Sequence, residues 1–323
     1  MQRFILENSL PALFIAILTL VVAAQGHSES DDPDEKELTP KVNVDENSGE
    51  KIDHPASQRI YEYKKFTNVV YKKGKGYQLH CDLYVPEGNG PFPAVLAIHG
   101  GAWRHGSKVQ MIRHAWKLAK AGYVVVAINY RHAPEYKFPA QVHDCKHAVR
   151  WIRSKSEKLK VDTNKIAVFG YSAGGHLSAM LGATDPEDEM EGDLSSAEKK
   201  ISSRVQCVIV GGGPCEFDWI KSKVLTHWLE DTPQENPAIY EKAAPLSYVS
   251  KDDPPFIFFH GSEDVVVPLE TSKKMHEKLI EVGVESHFVT IDGKGHFATF
   301  SDTTWLDQAI KFLDSKLERQ HHE

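Results

Sequence analysis

The chain has 323 residues, 41% of them apolar, with 17 prolines and 22 glycines; this suits a loop-rich globular enzyme and excludes collagen-like or wholly disordered chains. The net charge of −7 is held between Gln25 and Ser57, where ten acids face three lysines. The rest of the chain is neutral, so no basic face invites nucleic acid.

Residues 1–24 read as an export signal. Arg3 and the amino terminus form a weakly positive start, Pro11–Ala24 is an uncharged apolar run, and Val22-Ala23-Ala24 offers small residues for cleavage. That run is shorter than the ~20 residues needed to span a bilayer, so no stable membrane span is expected after cleavage. Glu7 leaves a retained anchor as the alternative. Residues 25–57, rich in acids, serine and proline, lack the apolar side chains to offset ordering entropy and read as a disordered linker.

A folded domain is expected over residues 58–318, with a tail at 319–323. Phe66–Tyr71 reads as a first strand, and Tyr77–Val85 alternates apolar and polar residues like a half-buried second one. From there the pattern changes to short, continuous apolar runs: Ala94–Ile98, Tyr123–Ile128, Ile166–Phe169, Val205–Val210, Phe256–Phe259 and His287–Ile291. Such runs suit strands covered on both faces. Helical stripes lie between and after them, at Val142, Cys145, Val149 and Ile152 and at Leu306, Ala309, Ile310, Leu313 and Leu317. The alternation predicts an α/β fold, a doubly wound and mostly parallel sheet in one domain.

Four strand ends carry chemistry. After Ala94–Ile98 comes His99-Gly100-Gly101-Ala102-Trp103, whose glycines let backbone N–H groups face a ligand. After Ile166–Phe169 comes Gly170-Tyr171-Ser172-Ala173-Gly174, a G-x-S-x-G sequence between a strand and a helix. A serine on that turn is pushed out where it can be approached, and the N–H of Ala173 joins those of Gly101 and Ala102 as an oxyanion hole. After the last two runs come Asp264 and the glycine-flanked His296. The order Ser172, Asp264, His296 is that of a nucleophile, an orienting acid and a general base. Glu263 is the rival acid, with Asp292 and Glu270 behind it. Trp103 and Tyr171 are candidate substrate contacts beside these loops. No cofactor is expected, and His143 and His147 lack the glutamate that a zinc H-E-x-x-H helix requires.

Other stretches are less committed. Thr184–Lys200 is acidic and reads as a solvated excursion, with a cation site as the weaker alternative. Pro214–Pro255, with Trp219, Trp228 and Tyr240, reads as a small helical cap between the sixth and seventh strands. Export would permit disulfides among four cysteines in three connectivities. Cys207 and Cys215, separated by Gly211–Pro214, form the candidate pair, while Cys81 and Cys145 read as buried thiols.

Taken together, His99–Trp103, Asn129–Pro134, Phe138–Gln141 with Asp144, Gly170–Gly175, His260–Asp264 and Gly295-His296 resemble the α/β-hydrolase fold over about residues 60–318. More narrowly, they resemble secreted acetylxylan and feruloyl esterases and relatives of hormone-sensitive lipase. The resemblance implies an eight-stranded sheet and a serine carboxylesterase acting on small-molecule or polysaccharide-linked esters, outside the cytoplasm. Ala102 stands where lipase relatives have a third glycine, and Tyr171 where they have an acid. An exopeptidase or amidase on the same residues, and a catalytically silent binding module, are the alternatives.

Overall fold

The computed structural model describes residues 60–220 and 223–317. The export signal and the acidic linker lie outside the described residues, as does the tail at 319–323. Among the described residues no helix is long and apolar enough to cross a membrane.

One eight-stranded sheet organises the domain: β1 (Tyr63–Gly74), β2 (Tyr77–Pro86), β3 (Phe92–Ile98), β4 (Val124–Ile128), β5 (Val161–Tyr171), β6 (Cys207–Gly211), β7 (Phe256–Gly261) and β8 (Ser286–Ile291). Across the sheet the order is β1-β2-β4-β3-β5-β6-β7-β8. β2 pairs antiparallel with β1 and β4, and every later pairing is parallel. The expected doubly wound sheet is therefore present.

The continuous apolar runs have a direct cause. Successive residues of a strand point to opposite faces, so both faces must be covered. Leu96, Ile98, Val126, Val168, Val210 and Phe258 belong to one core; Val95, Ala97, Val125, Phe169, Ile209 and Phe259 belong to the other. The first core is covered by α2 (Ala140–Ser154), α4 (Ala173–Ala183) and α7 (Leu269–Glu281), through Val142, Leu177 and Met275. The second is covered by α1 (Ile112–Lys120) and α9 (Leu306–Lys316), through Leu118 and Leu313. Shorter helices are α3 (Ser156–Leu159), α5 (Thr226–Leu229), α6 (Pro237–Ala243) and α8 (His296–Ser301). α5 and α6 lie in the connection from β6 to β7 and form the expected cap.

Two expectations are corrected here. Cys207 and Cys215 are not paired: all four cysteines are free and buried. Cys207 packs in one core and Cys215 in the other, so the strand end separates them despite their nearness in sequence. Burial pushes the Cys207 thiol up to about 12. The acidic excursion is also more than solvated chain. Glu191 is bonded to Lys146, Arg150 and Ser203, which ties the excursion to α2. Among the described residues no group of histidine, cysteine or acid side chains is placed to hold a metal ion.

Candidate active site

Parallel pairing brings the carboxyl ends of β3, β5, β7 and β8 to one edge of the sheet, the place where such sheets bind ligands. The loops that carry Gly101, Ser172, Asp264 and His296 all leave from that edge.

Ser172 caps helix α4 with φ 58° and ψ −123°, a backbone conformation that side chains seldom adopt. The turn is tight enough to explain both flanking glycines. A Cβ on Gly170 would lie 2.1 Å from the Gly174 carbonyl oxygen, and one on Gly174 would lie 2.1 Å from that of Ile98. The Ser172 N–H donates to the Gly211 carbonyl at 2.8 Å, which anchors the turn to β6. The loop after β3 lies against it: a Cβ on Gly100 would be 3.1 Å from Ser172 Cβ and 3.7 Å from its Oγ.

On the other side, Asp264 has a buried carboxylate with four neighbours. Oδ1 accepts from the N–H groups of Val266 and Val267, each at 2.9 Å. Oδ2 lies 2.6 Å from His296 Nδ1 and 3.3 Å from His260 Nε2. Burial opposes the charge, but the bonds from His260, His296 and the backbone outweigh it and hold the carboxyl well below the usual carboxylate range. A carboxylate can only accept, so His296 Nδ1 carries a proton, and in the neutral ring that leaves the lone pair on Nε2. Gly295 precedes His296 at the start of α8, and Glu263 is exposed beside the pair rather than bonded to it.

The two halves are joined through Tyr171. Its hydroxyl donates to the His296 carbonyl at 2.7 Å, and its ring packs 5.2 Å from the imidazole. Tyr171 is buried, and burial raises its phenol well above its ordinary value. The described contacts thus make it a strut between Ser172 and His296 rather than a substrate surface. Trp103 is also buried, stacked on Trp228 with ring centroids 3.8 Å apart. Both candidate substrate contacts are accounted for by packing within the protein. The N–H groups of Gly101, Ala102 and Ala173 donate to no carbonyl in the turns and loops of the described residues, which leaves them available to a ligand.

His143 and His147 take no part in this site. Burial and nearby cations push His143 down to about 4, while His147 contacts the Tyr71 carbonyl and Glu198. Asp144 is engaged by Lys72 and Arg131, each 2.8 Å away. Sequence reasoning missed His260, which sits buried at the end of β7 against the same carboxylate as His296. Its place directly before the loop of Asp264 was the available signal.

A mostly parallel sheet with helices on both faces, a serine turn, a glycine loop beside it and a paired acid and histidine at its carboxyl edge is the arrangement of an α/β-hydrolase. Within that class the chain belongs to the BD-FAE family, whose profile matches residues 81–279. It is 33% identical over 218 residues to Esterase LipC of Mycobacterium tuberculosis, a match covering 64% of this chain and 53% of that protein. The chain spans about half the length of such curated relatives. Among solved structures it is similar to a truncated carbohydrate esterase from gut microbiota, with TM-score 0.71, 28% identity and coverage of 83% of this chain and 100% of the other. It is also similar to the butyrate-bound esterase Est2 of the Planctomycetes species Thermogutta terrifontis, with TM-score 0.65, 27% identity and coverage of 80% and 93%.

Proposed function

We propose that this chain is a serine carboxylesterase that hydrolyses small acyl esters through Ser172, His296 and Asp264. The observation that carries the reading is the 2.6 Å contact between Asp264 Oδ2 and His296 Nδ1 at the strand edge that also presents Ser172. It leaves His296 Nε2 as a base, and a serine hydroxyl needs one near neutral pH. Nε2 takes the Ser172 proton as Oγ bonds to the ester carbonyl carbon. The carbonyl oxygen becomes an oxyanion facing the N–H groups of Gly101, Ala102 and Ala173. The carbon–oxygen bond to the alcohol then breaks, and His296 returns the proton to the departing oxygen. Water repeats the sequence on the acyl-enzyme and frees the acid.

Acetyl or feruloyl groups on a polysaccharide are the finer substrate reading. The carbohydrate esterase and the butyrate-bound Est2 among its structural relatives support short acyl groups and a sugar partner. Exposed Phe297 and Val265, which directly follow His296 and Asp264, would give such a substrate apolar surface at the rim. Export, read from residues 1–24, belongs to the same proposal.

The test is turnover of a chromogenic acetyl-to-octanoyl ester series, beside acetylated xylan, feruloylated sugar, short-chain triglyceride and peptide panels. Ser172→Ala is expected to lower kcat on esters by about 10⁶-fold. Equal rates for wild type and variant would refute the mechanism. Faster cleavage of peptides than of esters would move the assignment to an amidase.

A further inference from the structure

The loop after β3 holds a conformation that its own sequence does not favour. Gly101, Ala102 and Trp103 have φ of 120°, 51° and 59° in succession, and only the first is a glycine. Residues kept in such regions are over-determined by their surroundings. Here the surroundings are specific. His227 and Trp228, neighbours in α5, meet Ala102 and Trp103 in the same order. His227 Nε2 lies 3.1 Å from the Ala102 carbonyl, and the Trp228 indole stacks on that of Trp103 with planes only 3° apart. The Ala133 N–H adds a bond to the Trp103 carbonyl at 3.0 Å.

The indole N–H of Trp103 then donates to His176 Nδ1 at 3.1 Å, while His176 Nε2 lies 2.7 Å from the Ala243 carbonyl. An indole can only donate and a carbonyl can only accept, so a single neutral tautomer of His176 satisfies both partners. His176, Trp103 and Trp228 are all buried, and Trp228 is itself fixed by a bond to Gln141 Oε1 at 3.0 Å. His176 stands on the first turn of α4, four residues after Ser172, and Ala243 ends α6 in the cap. One imidazole therefore links the loop of Gly101, the serine helix and the cap.

We propose that His176 and Trp228 are positioning residues for the reaction: by clamping Trp103 they hold the backbone N–H groups of Gly101 and Ala102 where the oxyanion forms. The inference rests on the esterase reading above. It gives the cap a part in turnover, separate from any part in choosing the substrate.

The experiment measures kcat and KM on p-nitrophenyl acetate and butyrate for the full chain, with active sites counted by a fluorophosphonate. The variants are His176→Leu, His176→Gln and Trp103→Phe. Leucine removes both bonds of His176, whereas a glutamine amide can accept from Trp103 and donate to Ala243. Phenylalanine keeps a six-membered ring over Trp228 and loses the N–H with the smaller ring of the indole, while His176 stays in place, so it reports even where His176→Leu fails to fold. Loss of one oxyanion donor typically costs about 10²–10³ in turnover. A displaced loop is accordingly expected to lower kcat per counted site by about tenfold or more in His176→Leu and Trp103→Phe. KM should stay within about threefold, and His176→Gln should recover most of the rate. Wild-type kcat per site in Trp103→Phe, with only the melting temperature reduced, overturns the proposal. So does a glutamine variant as slow as the leucine one. A wild-type protein that neither turns over esters nor labels at Ser172 removes the esterase reading itself, and this inference with it.

Discussion

Asp264 shows how one side chain can fix the state of a whole site. Its carboxylate is out of contact with water, which by itself would favour the neutral acid, yet two backbone N–H groups and two imidazoles surround its oxygens. The carboxyl is therefore held well below the usual carboxylate range, and in the neutral imidazole of His296 it selects the tautomer that leaves Nε2 unprotonated. Asp264→Asn separates geometry from charge. The amide oxygen can still accept from Val266 and Val267, which turns the NH₂ toward His296 Nδ1. Nδ1 must then accept, Nε2 carries the proton, and the base is lost. The expected outcome is a kcat about 10⁴-fold lower with the fold intact, measured on the acetyl ester. A rate within tenfold of wild type would remove Asp264 from the mechanism.

At the scale of elements, the turn from β5 into α4 sets the close approach of helix to sheet. Gly182 extends that approach along the helix: a Cβ there would lie 2.5 Å from the Phe256 ring and 2.6 Å from Val208 Cγ2. Both neighbours are fully buried, so neither can swing away. Gly182→Val is expected to destabilise by about 1–3 kcal/mol through overpacking, a fall in Tm of roughly 2–4 °C per kcal/mol. Calorimetry checks it, and an unchanged Tm would show that α4 can shift. The same elements show what the sequence discloses. Runs such as Ala94–Ile98 and Phe256–Phe259 announce strands because each must satisfy two cores at once. The site loops are legible for a related reason, since parallel strands deliver every carboxyl end to one edge. The start of β5 is not legible: Asp162–Lys165 is polar, and pairing of Val161 with Phe92 extends the strand beyond its apolar run. The same holds for Trp103 and Tyr171, whose partners Trp228 and His296 are 125 residues away in each case. Whether an aromatic beside a site faces substrate or core depends on that distant partner, which local spacing does not encode.

At the scale of the molecule, the buried histidines couple stability to pH. His99, His114 and His176 are almost fully buried, and burial first of all pushes them down, to about 3, about 4 and about 4. In the unfolded chain each takes up a proton near its ordinary value of about 6.5. Between about pH 6.5 and pH 4 the unfolded state therefore binds protons that the folded state does not, and stability falls as the pH falls. The slope is about 1.4 kcal/mol per pH unit for each such histidine in the middle of that window. Asp253 opposes them, since burial raises its carboxyl to about 6 and the folded state there holds a proton first. His143, pushed down to about 4 by burial and nearby cations, adds to them, so four such groups against one leave a net loss on the acid side. His114 isolates the effect. It packs among Phe169, Phe300 and Trp305, and neither ring nitrogen makes a hydrogen bond of normal geometry among the described residues. His114→Phe removes a buried, weakly bonded polar ring, whose polar neighbour is the Phe300 backbone, together with one proton-linked group, and an apolar ring suits the aromatic surroundings better. Urea midpoints at pH 7, 6 and 5 are expected to fall steadily for the wild type. The variant should be at least as stable at pH 7 and lose less on acidification, by about one histidine's share. Parallel curves for the two proteins would mean that His114 is charged in the fold, and a flat wild-type curve would set aside the buried histidines as the source of acid sensitivity.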